Sequence, residues 1–116
     1  MAYVDGFLLA VPDENRAAYL RLAETAAEVF RDHGALRLVE CWGNDVPEGH
    51  VTSFPMAVKR APGETVVFAW IEWPSKEVRD AAHPKVMADP RLDGQGEIPF
   101  DGKRMIFGGF EVLLDR

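Results

Sequence analysis

Cysteine is nearly missing from the chain: Cys41 stands alone among 116 residues. One thiol excludes an internal disulfide, and no CxxC or paired Cys/His spacing of a structural zinc site occurs. The three histidines, His33, His50 and His83, show no HxH or HExxH spacing, so no metal site is expected. Basic clusters are missing as well. Thirteen Lys and Arg against nineteen Asp and Glu give a net charge of -6 and a pI near 5.0. A partner carrying a phosphate backbone needs a basic stripe, so no nucleic acid is expected. No apolar run approaches the roughly twenty residues of a membrane span, and the first residues, MAYVDGFLLAVPDE, lack a basic n-region. The expectation is a cytoplasmic protein without membrane attachment. Neither Gly94-Gln95-Gly96 nor Gly108-Gly109 forms a GxGxxG turn between strand and helix, so no dinucleotide or other cofactor is expected. No nucleophile, base and orienter stand at recognisable spacing, which argues against hydrolysis.

What is present is ordinary globular composition, 47% hydrophobic and 28% charged, at a length that suits one domain over residues 1–116. Tyr3 to Val11 reads as a strand stopped by Pro12. Asp13 and Glu14 then open a helix whose inner stripe is Tyr19, Leu20, Ala23, Ala26, Ala27 and Phe30, ending at Gly34. A second strand is predicted from Ala35 to Trp42, a loop over 43–54, an extra edge strand over Met56 to Lys59 beside Pro55, and a long strand from Thr65 to Trp73. Pro74-Ser75 begins a second helix that Pro84 should kink or restart at His83 and that Asp89-Pro90 should end. After the connection RLDGQGEIPFDGK, Arg104 to Leu114 forms the last strand. The order is an α+β, ferredoxin-like βαββαβ with an extra edge strand, its antiparallel sheet carrying both helices on one face.

Side chains alternate across a strand, so each strand can be sorted by parity. One set is wholly apolar in each of three strands: Val4, Gly6, Leu8 and Ala10; Val67, Ala69, Ile71 and Trp73; Ile106, Gly108, Phe110 and Val112. This set is assigned to the helices. The other set, with Phe7, Leu9, Phe68, Trp70, Met105 and Phe107, then forms an apolar face larger than a soluble monomer usually exposes. A homodimer with the two sheets stacked is the expected cover. A register with Gly6 near Phe110 sets Asp5 opposite Glu111, with Gly109 leaving a hollow beside them.

On this sorting Asp5, Glu72 and Glu111 are the candidate catalytic groups, because neighbouring carboxylates in a dry space repel and one acquires a raised pKa suited to acid or base work. Glu40 joins them on that face if Leu36, Leu38 and Trp42 share its orientation, and is a candidate ligand-binding rather than catalytic residue. The alternative is that the carboxylates lie in solvent or pair with Arg37, Lys59 or Arg104. Trp42, Phe68, Trp70, Phe107 and Gly109 are the candidate ligand-binding residues. His83, before Pro84, is a further one, unless it is simply a surface histidine.

The blocks YVDGFLLAVP (3–12), FRDHGALRLVECWGNDVPEG (30–49), GETVVFAWIEWPSKEVRDAA (63–82), MADPR (87–91) and PFDGKRMIFGGFEVLLD (99–115) resemble the small bacterial YbaA-like proteins along nearly the whole chain. The resemblance implies a dimeric α/β barrel with a ferredoxin-like protomer. The wider superfamily resembles cofactor-independent monooxygenases, muconolactone isomerases and haem-degrading enzymes, an analogy of fold that fixes no chemistry.

The expected function is binding of a small, aromatic or cyclic molecule on the open sheet face. The alternatives are a cofactor-independent monooxygenase or isomerase with a carboxylate base, and a non-catalytic structural or sensing dimer. An empty space of roughly 300 Å³ or more touching two carboxylates would favour the ligand.

Overall fold

The computed structural model describes residues 2–94 and 96–116; Gln95 of the Gly94-Gln95-Gly96 segment lies outside them. Four strands, β1 (Tyr3–Pro12), β2 (Arg37–Trp42), β3 (Glu64–Trp73) and β4 (Ile106–Glu111), form one antiparallel sheet in the order β2-β3-β1-β4. The helices are α1 (Arg16–Asp32), α2 (Phe54–Ala57), α3 (Lys76–Met87) and α4 (Pro90–Asp93), with short 3-10 turns at Asp13–Asn15 and Gly102–Arg104. This is the predicted ferredoxin-like arrangement, less its extra strand. Among the described residues no helix is long and apolar enough to cross a membrane.

Local chemistry sets the element ends. β1 stops at Pro12, and the Asp13 N–H donates to the Gly63 carbonyl at 2.8 Å. α1 closes at Gly34, which has φ 114° and whose missing Cβ would stand 2.9 Å from Val78 Cγ1, so a side chain is barred twice there. Ser75 caps α3 by accepting from the Val78 N–H at 3.2 Å. α3 runs unbroken through Pro84 to Met87, contrary to the expected kink. Pro84 is exposed, so water can reach the backbone acceptor that its ring leaves without a donor.

The expected edge strand at Met56 to Lys59 is instead helix α2 and the turn after it. Ser53 accepts from the Met56 N–H at 3.1 Å and Pro55 falls in the first turn, the pattern of a helix start. Val58, fully buried, then packs on Ala10 and Val66 and covers one end of the sheet face that the long helices leave open.

The parity assignment holds for β3 and is inverted for β1 and β4. Leu9, Val11, Val67 and Ala69 pack with Tyr19 and Ala23 of α1. Tyr3, Ile71 and Trp73 pack with Ala35 and Ala82. The helix side therefore carries Asp5, Phe7, Leu9, Phe107 and Gly109, while Val4, Gly6, Leu8, Ile106, Gly108 and Phe110 point away from it. The register pairs Asp5 with Gly109, Gly6 with Gly108 and Tyr3 with Glu111, so Asp5 and Glu111 are not opposite one another. Gly6 and Gly108 serve the ring of Phe110, which lies within 3.6 Å of where their Cβ atoms would be. Gly109 leaves no hollow either, because the hydroxyl end of Tyr3 fills the place of its side chain.

The connection from α4 back to β4 is locked by Arg104, which donates to both carboxylate oxygens of Glu64 at 2.7 and 2.8 Å, to Asp101 at 3.0 Å and to the Lys59 carbonyl at 2.9 Å. These bonds hold the Glu64 carboxyl at about 2, below its usual 4.5. A carboxyl depressed in the folded state binds fewer protons than in the unfolded chain, so the stability it contributes is present above about pH 4.5 and lost as pH falls toward 2. Glu64→Gln is expected to lower stability at pH 7 by about 2 kcal/mol and to flatten this part of the acid limb. Urea titrations from pH 7 to 2 check this; parallel curves for the variant and the native chain would refute it.

Candidate active site

The densest conjunction of space and chemistry lies between α1 and the sheet. Helical spacing puts Tyr19, Ala23 and Ala26 on the inner face of α1, and small residues there keep the helix from filling the gap. Strand alternation puts Leu38, Glu40 and Trp42 on the same side of β2. The gap is a cavity of about 240 Å³ bounded by Phe7, Leu22, Ala26, Ile71, Phe100 and Met105, with Tyr19 and Glu40 as its polar pair. A neighbouring cavity of about 170 Å³, toward Arg16 and Trp42, shares Tyr19, Ala23 and Glu40 in its wall.

Tyr19 donates its hydroxyl proton to Glu40 Oε1 at 2.6 Å. Burial pushes the Glu40 carboxyl above its ordinary range, partly offset by the bond from Tyr19. The Tyr19 hydroxyl is pushed up by burial and by the negative charge of Glu40, so it remains a donor. The result is a carboxyl in largely apolar surroundings, oriented by one buried phenol and pushed above its ordinary range by burial.

The cavity roof comes from Phe100 and Met105, with Pro99 beside Phe100. Asn15 donates from Nδ2 to the Pro99 carbonyl at 3.0 Å and so fixes that segment to the start of α1. Phe100 then meets Tyr19 edge to face, with ring centroids 5.8 Å apart.

The other candidate residues are dispersed. Asp5, on the helix side, accepts from Trp73 Nε1 at 2.9 Å and from Arg79 at 2.8 Å. Glu72 is on the opposite face, where Trp70 Nε1 at 2.9 Å and Arg37 Nε at 2.6 Å hold its carboxyl below the usual range, the reverse of what a neutral-pH base requires. Glu111 is exposed at the end of β4. The three carboxylates that were expected to cluster do not meet, and pairing with Arg37 is what Glu72 does. Phe68 and Trp70 stack edge to face on the open side, 5.7 Å between centroids. Phe107 lies against Phe7 at the β4 edge, Gly109 beneath Tyr3, and His83 on the exposed side of α3. Glu40 and Trp42 are the two predicted residues that the cavities unite. Tyr19, Phe100 and Arg16 escaped the sequence reading as site residues; the signal for Tyr19 was a hydroxyl in an otherwise alanine-rich inner stripe.

Over residues 2–102 the chain matches the family described as "Protein of unknown function (DUF1428)". It is 60% identical over 116 residues to "Uncharacterized protein YbaA" of Escherichia coli K12, covering 99% of both chains, and equally so to the YbaA of Shigella flexneri. Among solved structures it resembles Rv0793 from Mycobacterium tuberculosis, with a TM-score of 0.59 at 12% identity, covering 99% of this chain and 98% of that one; the likeness is one of fold. By the family match and by its 60% identity to YbaA along nearly the full length, the chain belongs to the DUF1428 family.

Proposed function

We propose that the protein binds a small, largely apolar cyclic molecule between α1 and the sheet, and that Glu40 exchanges a proton with it. The carrying observation is the Glu40–Tyr19 pair at 2.6 Å in the wall of an otherwise apolar cavity. A cavity of about 150 Å³ already accepts a benzene ring, so about 240 Å³ holds a substituted one. The space is smaller than the expected one of roughly 300 Å³ and touches one carboxylate rather than two, so the expectation of a larger site with paired carboxylates is not met and the reading rests on the Glu40–Tyr19 pair alone. Isomerisation through an enolate is the reaction type that fits these groups: Glu40 takes a proton from one carbon of a ketone or lactone and returns it to another carbon of the conjugated enolate, with no net gain or loss of protons, while Tyr19 orients the carboxylate.

The reading includes a homodimer. The open face carries Val4, Leu8, Phe68, Trp70, Ile106 and Phe110, an apolar set different from the one predicted and equally unsuited to water. A groove of about 600 Å³ runs across it with no carboxylate in its lining, which fits a docking surface better than a reaction site. Stacking two such faces leaves the α1 cavities on the outer sides of the pair.

The test is a melting screen of small cyclic ketones and lactones against the native chain, Glu40→Gln and Ala26→Leu. Ala26→Leu fills the cavity and is expected to abolish ligand-dependent stabilisation. Glu40→Gln keeps an acceptor for Tyr19 and should retain binding, while proton exchange at the ligand carbon, followed by deuterium incorporation, falls by a factor of about 10² to 10⁴. Native exchange should rise with pH through a value above the ordinary glutamate range, because only the ionised carboxylate acts as base. Undiminished binding in Ala26→Leu would end this reading.

A further inference from the structure

Arg37, Arg60, Arg79, Arg91 and Arg104 each lie against a carboxylate. Arg16 does not. Among the described residues it has no ion-pair partner, and its guanidinium instead stands over the Trp42 ring, 5.0 Å from the centroid. Stacking on an indole face fixes the plane of a guanidinium while leaving the donors on its edge unused. Arg16 and Trp42 border the smaller cavity, which reaches inward to the Glu40–Tyr19 pair and hence to the wall of the larger one. The two chambers therefore share Tyr19, Ala23 and Glu40 as a common wall, the larger, inner one otherwise apolar and the smaller, outer one bordered by the exposed Arg16.

We propose that the ligand is an organic acid whose cyclic body occupies the inner chamber and whose carboxylate lies in the outer chamber against Arg16. The inference rests on the cavity reading above and adds the ligand's charge. A planar carboxylate matches the guanidinium fork, with two parallel N–H···O bonds. A phosphate dianion fits less well, because it would bring a second negative charge toward Glu40 in a space of about 170 Å³. A cationic ligand would face Arg16 directly. The assignment also places Glu40 beside the ligand, on the wall that the two chambers share.

The probes are phenylacetate, trans-cinnamate and cyclohexanecarboxylate, each with its uncharged amide, titrated calorimetrically into the native chain, Arg16→Gln, Arg16→Lys and Ala26→Leu. In the native chain at least one acid is expected to bind at least tenfold more tightly than its amide. Arg16→Gln should bring the acid down to the level of the amide and leave the amide unchanged; Arg16→Lys should retain part of the difference, having charge without the fork. Arg16 is exposed, so unliganded melting of both variants should match the native chain and exclude misfolding as the cause. Equal binding of acids and amides, or acid binding indifferent to Arg16→Gln, overturns the proposal and leaves the cavity reading standing. Acid binding that persists in Ala26→Leu but vanishes in Arg16→Gln confines the acid to the smaller chamber, leaves the larger one without its ring and also overturns the proposal. Binding of neither series removes both readings together.

Discussion

Asp5→Ala is expected to lower the melting temperature by about 12–16 °C, the equivalent of about 3–4 kcal/mol at roughly 4 °C per kcal/mol for a chain of this size. The cause is what the substitution leaves behind. Trp73 is 1% exposed, and its Nε1–H has Asp5 as partner at 2.9 Å. Arg79 donates to the same carboxylate from Nε at 3.2 Å and Nη2 at 2.8 Å while lying over the Tyr3 ring. Alanine strands the Trp73 indole donor and leaves the partly buried Arg79 with Asp80 as its remaining carboxylate, and a buried group without a partner costs more than a made bond contributes. Asp5→Asn keeps an acceptor for Trp73 and should lose about half as much. Differential scanning calorimetry checks both. A fall of under about 3 °C in Asp5→Ala would mean that the tie between β1 and α3 carries little, and would reopen a direct chemical role for Asp5.

That role is the point at which sequence and structure part. Acidic residues on strands were taken as markers of the face turned away from the helices. For Glu72 this is right, because β3 alternates aliphatic residues toward the helices with Phe68, Trp70 and Glu72 on the other side. For β1 it fails, because Asp5 turns inward to partners 68 and 74 residues away, which no local pattern displays. The same rule inverts β4, where Glu111 marks the set that in fact faces the helices, and the glycines of both strands are misplaced with it. Alternation identifies the two sets in each strand; only cross-strand pairing says which set goes where. Element order, by contrast, was legible, since Pro12, Gly34 and Ser75 act within a few residues of themselves. The missed helix α2 had its start signal in Ser53-Phe54-Pro55, outweighed by the strand character of the residues after it.

Glu40 shows why the chemistry was half visible. Its alternation with Leu38 and Trp42 was readable, and so was the alanine-rich stripe of α1. That Tyr19 crosses the gap to Glu40 depends on how closely α1 approaches β2, a distance set by packing. The carboxylates that the sequence makes most conspicuous are engaged by arginines, whereas the one at the cavity is opposed by a phenol. An arginine partner lowers a carboxyl's pKa, and burial with a neutral donor does not offset the desolvation that raises it. Choice of partner thus separates Glu72, held low by Trp70 and Arg37, from Glu40, pushed up by burial.

Phe110→Glu is expected to convert the proposed homodimer to monomers, weakening association at least a thousandfold, about 4 kcal/mol. Phe110 is 61% exposed in the single chain, so the substitution removes little from the protomer's own core. Its ring lies across the Gly6–Gly108 pair, projecting beyond Val4 and Leu8 at the centre of the groove that Phe68 and Trp70 complete. A stacked partner would bury this ring among aromatics, and a glutamate there would carry an unpaired charge into that space. Sedimentation of the native chain at tens of micromolar should give twice the 12.9 kDa chain mass, and the variant 12.9 kDa with near-native far-ultraviolet dichroism. Ligand stabilisation through the α1 cavity should survive in the variant, because the helices lie on the far side of the sheet from Phe110. A native chain that sediments at 12.9 kDa would show the apolar face to be tolerated in water, and the stacked pair would then have no support.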